Sequence, residues 1–273
     1  MNKKQNEFFR FYWMNKHIPW RYELLSSHDC ISWDIIKYDI EKPWCFKALS
    51  KNPNITWDIV KANPDKPWCF KNLSKNPNIN TYIVLLNINK PWDFEVLSRH
   101  SNISWDIVEA FPEKSWDYNA LSFNKNVVNW DIIVANPKKP WNYDCLLRNS
   151  NITWNIVKEN PDKPWNYEEY AHNSNLTCSI IREIMNNIDI DPDFYFWIST
   201  NSSITWDMVK NNPDIPWDYI GLAHNSNINW DIVKANPDKP WDYYWLSFNP
   251  NISWNIVNEN QDKSWNYENL ISF

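Results

Sequence analysis

One constraint dominates the sequence: a word of about 24 residues returns along the whole chain. "NPNITWDIVKANPDKPW", from Asn52 to Trp68, reappears almost unchanged at Asn225 as "NSNINWDIVKANPDKPW". The Trp of the Pro-Trp pair recurs at Trp20, Trp44, Trp68, Trp92, Trp116, Trp141, Trp165, Trp217, Trp241 and Trp265, with Ser in place of the Pro at Trp116 and Trp265. A second series opens the "WDIV" word at Trp33, Trp57, Trp105, Trp130, Trp154, Trp206, Trp230 and Trp254. Together they hold 18 of the 21 tryptophans, and the chain has one glycine, Gly221. A fixed period of this length is the signature of stacked repeats, in which no unit buries its apolar face alone.

Eleven units cover residues 9–273, within a single repeat domain spanning 1–273. Residues 1–32 hold a degenerate first unit, 33–253 the repeats proper and 254–273 a shortened last unit. Positions are numbered here from the WDIV tryptophan. Position 24 is Ser, Thr or Asn, which predicts a helix N-cap. Apolar residues at positions 23 and 4, such as Ile55 and Val60, predict a hydrophobic staple. Asp at position 2 suits the positive end of the helix dipole. Asn-Pro at positions 7 and 8 ends that helix.

A second helix is expected to begin with an acidic cap at position 9 and Pro at position 11. It carries an aromatic residue at position 14 and an apolar one at position 17. "NPN" follows as a turn, with Asn tolerating left-handed dihedrals. "ITWDIV" also alternates like a strand, so a strand-helix repeat or β-solenoid stays open beside the helical reading. In either case the tryptophans are expected to stack as two continuous ladders, their indole N–H groups bonded to loop carbonyls.

The words "NPNITWDIV" and "NPDKPWDY" resemble the tandem Asn/Ile/Trp-rich repeats of giant DNA viruses. More distantly, the unit is similar to the leucine-rich repeat variant, which pairs an α-helix with a 3₁₀-helix. The resemblance implies a viral origin and an all-α architecture. That architecture is an α-solenoid, a right-handed superhelix of about eleven units with two short helices each. It implies no chemistry.

The residues themselves offer little chemistry. One glycine excludes phosphate loops and dinucleotide fingerprints. The five histidines show no metal spacing and are expected at the surface. Asp189, Asp191 and Asp193 mimic the start of a calcium loop but lack its Gly and closing Glu. The five cysteines are expected reduced. No catalytic set, metal or cofactor is expected.

A net charge of -6 counts against nucleic acid. No run approaches the ~20 apolar residues of a membrane span, and no signal peptide is evident, so an intracellular setting is expected. By the viral resemblance, that is the host cytoplasm, the viral factory or the virion. The sequons at Asn54, Asn102, Asn151, Asn175 and Asn251 then read as turn and cap.

Irregularities carry the functional expectation. Unit 3 has Thr81 for its first Trp. Unit 7 has Cys178 and Asp193 for both, with four inserted residues. Trp197 lies one helical turn beyond Asp193 and is expected to refill that gap. Positions 15 and 19 vary: Lys47, Lys51, Lys71, Lys75 and Arg99 early, then Phe196, Ile220, His224, Tyr244 and Phe248. With Trp197 and Trp245 these form the expected protein-binding face of a non-catalytic scaffold. Alternative readings are a self-assembling structural component and, behind it, a single-stranded RNA binder. Apolar residues near both ends (Phe8 to Trp13, and Leu270, Ile271 and Phe273) predict weak self-association.

Overall fold

The computed structural model describes residues 3–187 and 189–270. The last three residues invoked for self-association, 271–273, lie outside them. Packing divides the chain into two compact runs, Met1–Val127 and Val128–Phe273, each treated in its own terms. Among the described residues every regular element is a helix, so the strand reading of "ITWDIV" is set aside. The chain is an all-α, solenoid-like repeat. No described helix is long and apolar enough to cross a membrane.

The first helix of a regular unit spans six residues, as in Trp57–Ala62 or Trp230–Ala235. The staple holds throughout: Ile55 with Val60 and Ile228 with Val233 are fully or nearly buried. The position-24 caps divide by side chain. Asn80, Asn129 and Asn229 accept the N–H three residues on at 2.9–3.0 Å. Thr153, Thr177 and Thr205 accept it at 3.3–3.5 Å. Ser32, Thr56, Ser104 and Ser253 make no cap bond. The turn holds the cap residue at a distance that suits the longer amide and strains the reach of a hydroxyl.

The second helix starts later than its acidic residues suggest. It begins at position 14, as in Phe70–Leu73 and Tyr243–Leu246. Its cap is position 13, where Asp93, Asp117, Asn142, Asp218 and Asp242 accept helix N–H groups. The Lys-Pro-Trp segment is not helical. The Trp68 main-chain N–H bonds the Lys66 carbonyl at 2.8 Å, a three-residue turn around Pro67 that the ring of proline favours. Tyr167–His172 is 3₁₀, while the other second helices are α.

That turn delivers the position-12 indole into the groove between units. Its N–H reaches back to the carbonyl of position 7, from Trp44 to Asp39 at 2.9 Å through Trp265 to Asn260 at 2.8 Å. The loop-carbonyl expectation holds in all ten units that have the residue. The tryptophans do not form two separate ladders, however. Five position-12 rings meet the position-1 Trp of the preceding unit: Trp33–Trp68 at 5.8 Å, Trp57–Trp92 at 5.7 Å, Trp130–Trp165 at 5.7 Å, Trp206–Trp241 at 5.5 Å and Trp230–Trp265 at 5.9 Å. The position-14 ring of that preceding unit meets it edge-on, as Phe70–Trp92 at 5.0 Å and Tyr219–Trp241 at 5.1 Å. The edge-to-face arrangement places ring hydrogens on a π face. The two series therefore interlock at these five junctions.

The "NPN" turn needs correction. Among the described residues none has a positive φ. The first Asn, position 20, is there for its buried carboxamide. The Asn225 Oδ1 accepts the Asn227 N–H at 2.8 Å, closing the turn. Its Nδ2 donates to the carbonyls of Ser199, Asn201 and Ile204 in the preceding unit at 2.9–3.2 Å. Asn76 does the same with Ser50, Asn52 and Ile55, and Asn52, Asn124, Asn173, Asn201 and Asn249 follow. The second Asn, position 22, adds a shallower rung: Asn54 Nδ2 donates to the Asp29 and Ile31 carbonyls at 2.6 and 2.9 Å. Four sequon asparagines (Asn54, Asn151, Asn175, Asn251) thus have their amides engaged with the preceding unit.

A serine relay runs beside these rungs. Ser50 Oγ donates to the Phe46 carbonyl at 2.7 Å and accepts the Cys69 N–H of the next unit at 2.9 Å. Ser26, Ser74, Ser98 and Ser247 repeat both bonds.

His100 takes a position-20 place and is half-buried rather than a surface residue. Its ring bonds the Ser74 carbonyl, and burial pushes its pKa below the usual histidine value. The lone glycine also has a packing reason. A Cβ on Gly221 would lie 2.6 Å from the Phe196 carbonyl oxygen, so the helix Tyr219–His224 approaches Asp193–Thr200 too closely for any side chain.

Two expectations follow. Asn225→Ala removes both amide N–H donors and strands the buried carbonyls they serve, and should cost about 3 kcal/mol in urea unfolding. Histidine with a depressed folded pKa binds its proton more readily unfolded. Stability is therefore lost as pH falls from about 6.5 toward the lower folded value. His100→Asn should restore the regular rung and raise the melting temperature more at pH 5 than at pH 7.5, as read by differential scanning calorimetry.

Candidate functional site

Two places depart from the closed pattern, both in Val128–Phe273. One is the outward side of the second helices. Positions 14 and 17 turn inward, so positions 15, 16 and 19 lie outward or at its margin. Trp197, Ile220 and Tyr244 are 43%, 38% and 47% exposed, and Phe196, His224, Trp245 and Phe248 are half-buried beside them. The rings touch in sequence. His172 meets Trp197 at 4.9 Å, Trp197 meets Phe196 at 4.9 Å, and Phe196 meets His224 at 6.0 Å. His224 then meets Trp245 at 5.2 Å and Phe248 at 5.8 Å, and Tyr244 meets both. The expected aromatic residues therefore form one continuous stripe, exposed at Trp197 and Tyr244 and half-buried between them. Burial first, and Arg148 second, push the His172 pKa down, which favours its neutral ring.

The basic residues behave differently. Lys47, Lys51, Lys71, Lys75 and Arg99 are all exposed, in Met1–Val127. Lys71 lies 3.7 Å from Asp93, and Arg99 3.4 Å from Asp117. Those acids are the caps of the following second helices. Two of the five cations thus serve ordinary exposed ion pairs, worth about 1 kcal/mol or less.

The second place is the junction before unit 7. Positions 7 and 8 there are Ile184 and Met185, and the first helix runs on through Cys178–Asn187. Asp193 stands where the junction needs an indole. Trp197 does not refill that gap, because it points outward into the stripe. Phe194 is the buried aromatic of its helix. At the gap itself Trp154 turns to its own unit, meeting Tyr167 at 5.9 Å and Tyr170 at 5.1 Å. Its indole N–H donates to Glu183 Oε2 at 2.7 Å, and Lys158 Nζ lies 3.2 Å from the same oxygen. These partners, the indole first, hold the Glu183 pKa below the usual carboxylate value. A cleft of about 490 Å³ remains, lined by Trp154, Lys158, Pro161, Tyr167, Glu183, Ile184 and Asn187. Sequence reasoning missed its walls, although the lost Asn-Pro stop was a signal.

The acidic run near Asp191 is a turn. Asp191 Oδ1 accepts the Asp193 N–H and its own N–H donates to Glu168, both at 2.9 Å. Elsewhere, donor atoms of His28, Asp29 and Cys30 lie within 4.8 Å of one another. Asp29 pairs with Lys4 at 3.2 Å, and His28 Nδ1 accepts the Cys30 N–H at 3.3 Å. Those donors are therefore already engaged.

No protein-family model matches the chain, nor does any curated protein or solved structure. Function therefore rests on the geometry. The stripe is not needed for folding if its rings face solvent. Trp197→Ala and Tyr244→Ala should each cost about 1 kcal/mol or less in denaturant unfolding, against ~3–5 kcal/mol for Trp241→Ala in the closed junction.

Proposed function

We propose that the chain is a non-catalytic protein-binding scaffold, and that the aromatic stripe on the second helices of Val128–Phe273 is its contact surface. The supporting observation is the unbroken ring-to-ring run from Trp197 to Tyr244, exposed on a chain whose junctions already bury many other rings. Contiguous exposed apolar surface of this kind marks interaction sites. Large aromatic rings provide contact area at low entropic cost and dominate binding hot spots. A partner with an extended apolar segment fits the stripe. Within Met1–Val127, the exposed Lys47, Lys51 and Lys75 would favour acidic groups and add salt sensitivity. The viral resemblance makes a host or viral protein the natural partner.

Self-association is the second reading. It draws on the helix Lys3–Met14, where Phe11, Trp13 and Met14 are exposed.

The test is affinity capture from the organism's infected or native cells, followed by binding measurements with each captured protein. The double variant Trp197→Ala, Tyr244→Ala should weaken the true partner at least about 30-fold, the sum of two modest hot spots. Lys47→Glu, Lys51→Glu and Lys75→Glu together should slow association at low salt. Unchanged capture and affinity by the aromatic double variant would remove the stripe as the binding surface.

A further inference from the structure

Unit 3, residues 81–104 in the first run, departs from the repeat's bonding pattern on both of its sides. Toward unit 2, position 20 is His100 instead of Asn. One unit earlier, Asn76 Nδ2 donates to the Ser50, Asn52 and Ile55 carbonyls. The equivalent carbonyls before unit 3 belong to Ser74, Asn76 and Ile79, and the His100 ring bonds that of Ser74. A neutral imidazole has one N–H, so it cannot serve the other two. The shallower rung is missing as well. Asn78 Nδ2 donates to the Pro53 and Ile55 carbonyls at 2.6 and 3.1 Å, whereas among the described residues the exposed Asn102 amide donates to no carbonyl of unit 2. Toward unit 4, Thr81 stands in place of the position-1 Trp. Trp116 therefore meets Phe94 at 5.1 Å but has no position-1 indole to meet. The Thr81 hydroxyl is buried with no hydrogen-bond partner among the described residues. Such a group favours states in which water reaches it.

We propose that unit 3 is an opening point built into the repeat, a segment that comes away from its neighbours while the units on either side stay folded. In a stacked array, stability is a sum of unit terms and nearest-neighbour interface terms. A unit weakened at one interface adds one weak joint. A unit weakened at both separates more readily than its neighbours, so the array opens inside as well as fraying at its end. The ground state is closed. Trp57 meets Trp92 at 5.7 Å, Ser74 Oγ accepts the Asp93 N–H at 2.9 Å, and Asn124 Nδ2 donates to the Ser98 and His100 carbonyls at 3.1 and 2.9 Å. The open state is a minor one, reached without unfolding the rest of the run. It acts as a hinge in the basic face. Lys47, Lys51, Lys71 and Lys75 precede unit 3 and Arg99 lies within it, so opening alters their spacing. The device belongs to Met1–Val127 and does not depend on the aromatic stripe.

Site-resolved amide hydrogen exchange on the full chain at pH 7 reads the opening. The second helix of unit 3 is bonded like its counterparts. The Leu97 N–H donates to the Asp93 carbonyl at 3.0 Å, Leu73 to Cys69 at 2.8 Å and Leu121 to Asp117 at 2.9 Å. A difference in protection among them therefore reports release of the unit rather than the bond itself. Leu97 is expected to exchange at least about tenfold faster than both Leu73 and Leu121, after correction for intrinsic rates. His100→Asn returns the amide rung toward unit 2 and should slow Leu97 at least about tenfold, with less effect on Leu49 in unit 1. Thr81→Trp returns the indole toward unit 4 and should slow Leu97 likewise. Circular dichroism checks both folds, and His100→Asn decides if the larger residue at position 81 is not accommodated. Equal protection at Leu73, Leu97 and Leu121 overturns the proposal. So does exchange that slows steadily from Leu49 through Leu73 and Leu97 to Leu121, which is fraying from the end. A His100→Asn chain whose Leu97 exchanges as before, or in which Leu49 and Leu97 slow by the same factor, overturns it too.

Discussion

The buried carboxamide at position 20 is the interaction on which the rest of the fold depends. An amide has two donors and an acceptor, and all are used. The oxygen closes the turn of its own unit, and the nitrogen binds carbonyls of the unit before. The carbonyls it meets are those left at the end of the preceding second helix and in the following turn. Left unpaired, such groups would each cost on the order of 1–3 kcal/mol. A single side chain therefore satisfies the helix end, shapes the turn and sets the spacing between units. Ala could do none of these, and Asp would lack the donors.

With the spacing held by the amides, the aromatic rings decide how units mesh. Trp at position 12 cannot enter the next groove from a helix that starts at position 9. The chain stays extended through Lys-Pro, the proline favours the tight turn, and the indole is aimed backward. The helix can start only after that, which explains why its cap is Asp or Asn at position 13. The interlocked Trp pairs then bury what neither unit could bury alone. This also shows why unit 7 behaves as it does. The first helix continues to Asn187, Asp193 stands where an indole would, and Trp154 and Glu183 make a local repair. The longer helix Asp193–Thr200 then needs Gly221 opposite it.

The aromatic stripe and the cleft have different standing in the fold. The stripe lies on positions that vary, and its rings contact one another within and across neighbouring units. The cleft is built from the repeat's own core residues at a place where one member is missing. Surface variation made the first, and a defect in the period made the second.

The period, the two-helix unit, the staple at positions 23 and 4 and the buried position 17 were all legible in the residues, because they follow from spacing within one unit. The loop carbonyls as partners of the indoles were legible for the same reason, and so was the aromatic stripe, since equivalent positions must share a face. What the tertiary structure decided lies between units. Asn at position 20 looked like a left-handed turn residue, yet its φ is ordinary and its bonds run to carbonyls 21 to 26 residues earlier. The acids at position 9 looked like caps, but the needs of the position-12 indole moved the helix start. Trp197 looked like the replacement at unit 7, while the packing turned it outward and Trp154 leaned onto Tyr167 and Tyr170. Local propensity registers what a residue does for its own helix. Which neighbour receives its hydrogen bond or its ring is settled only when the next unit is stacked against it.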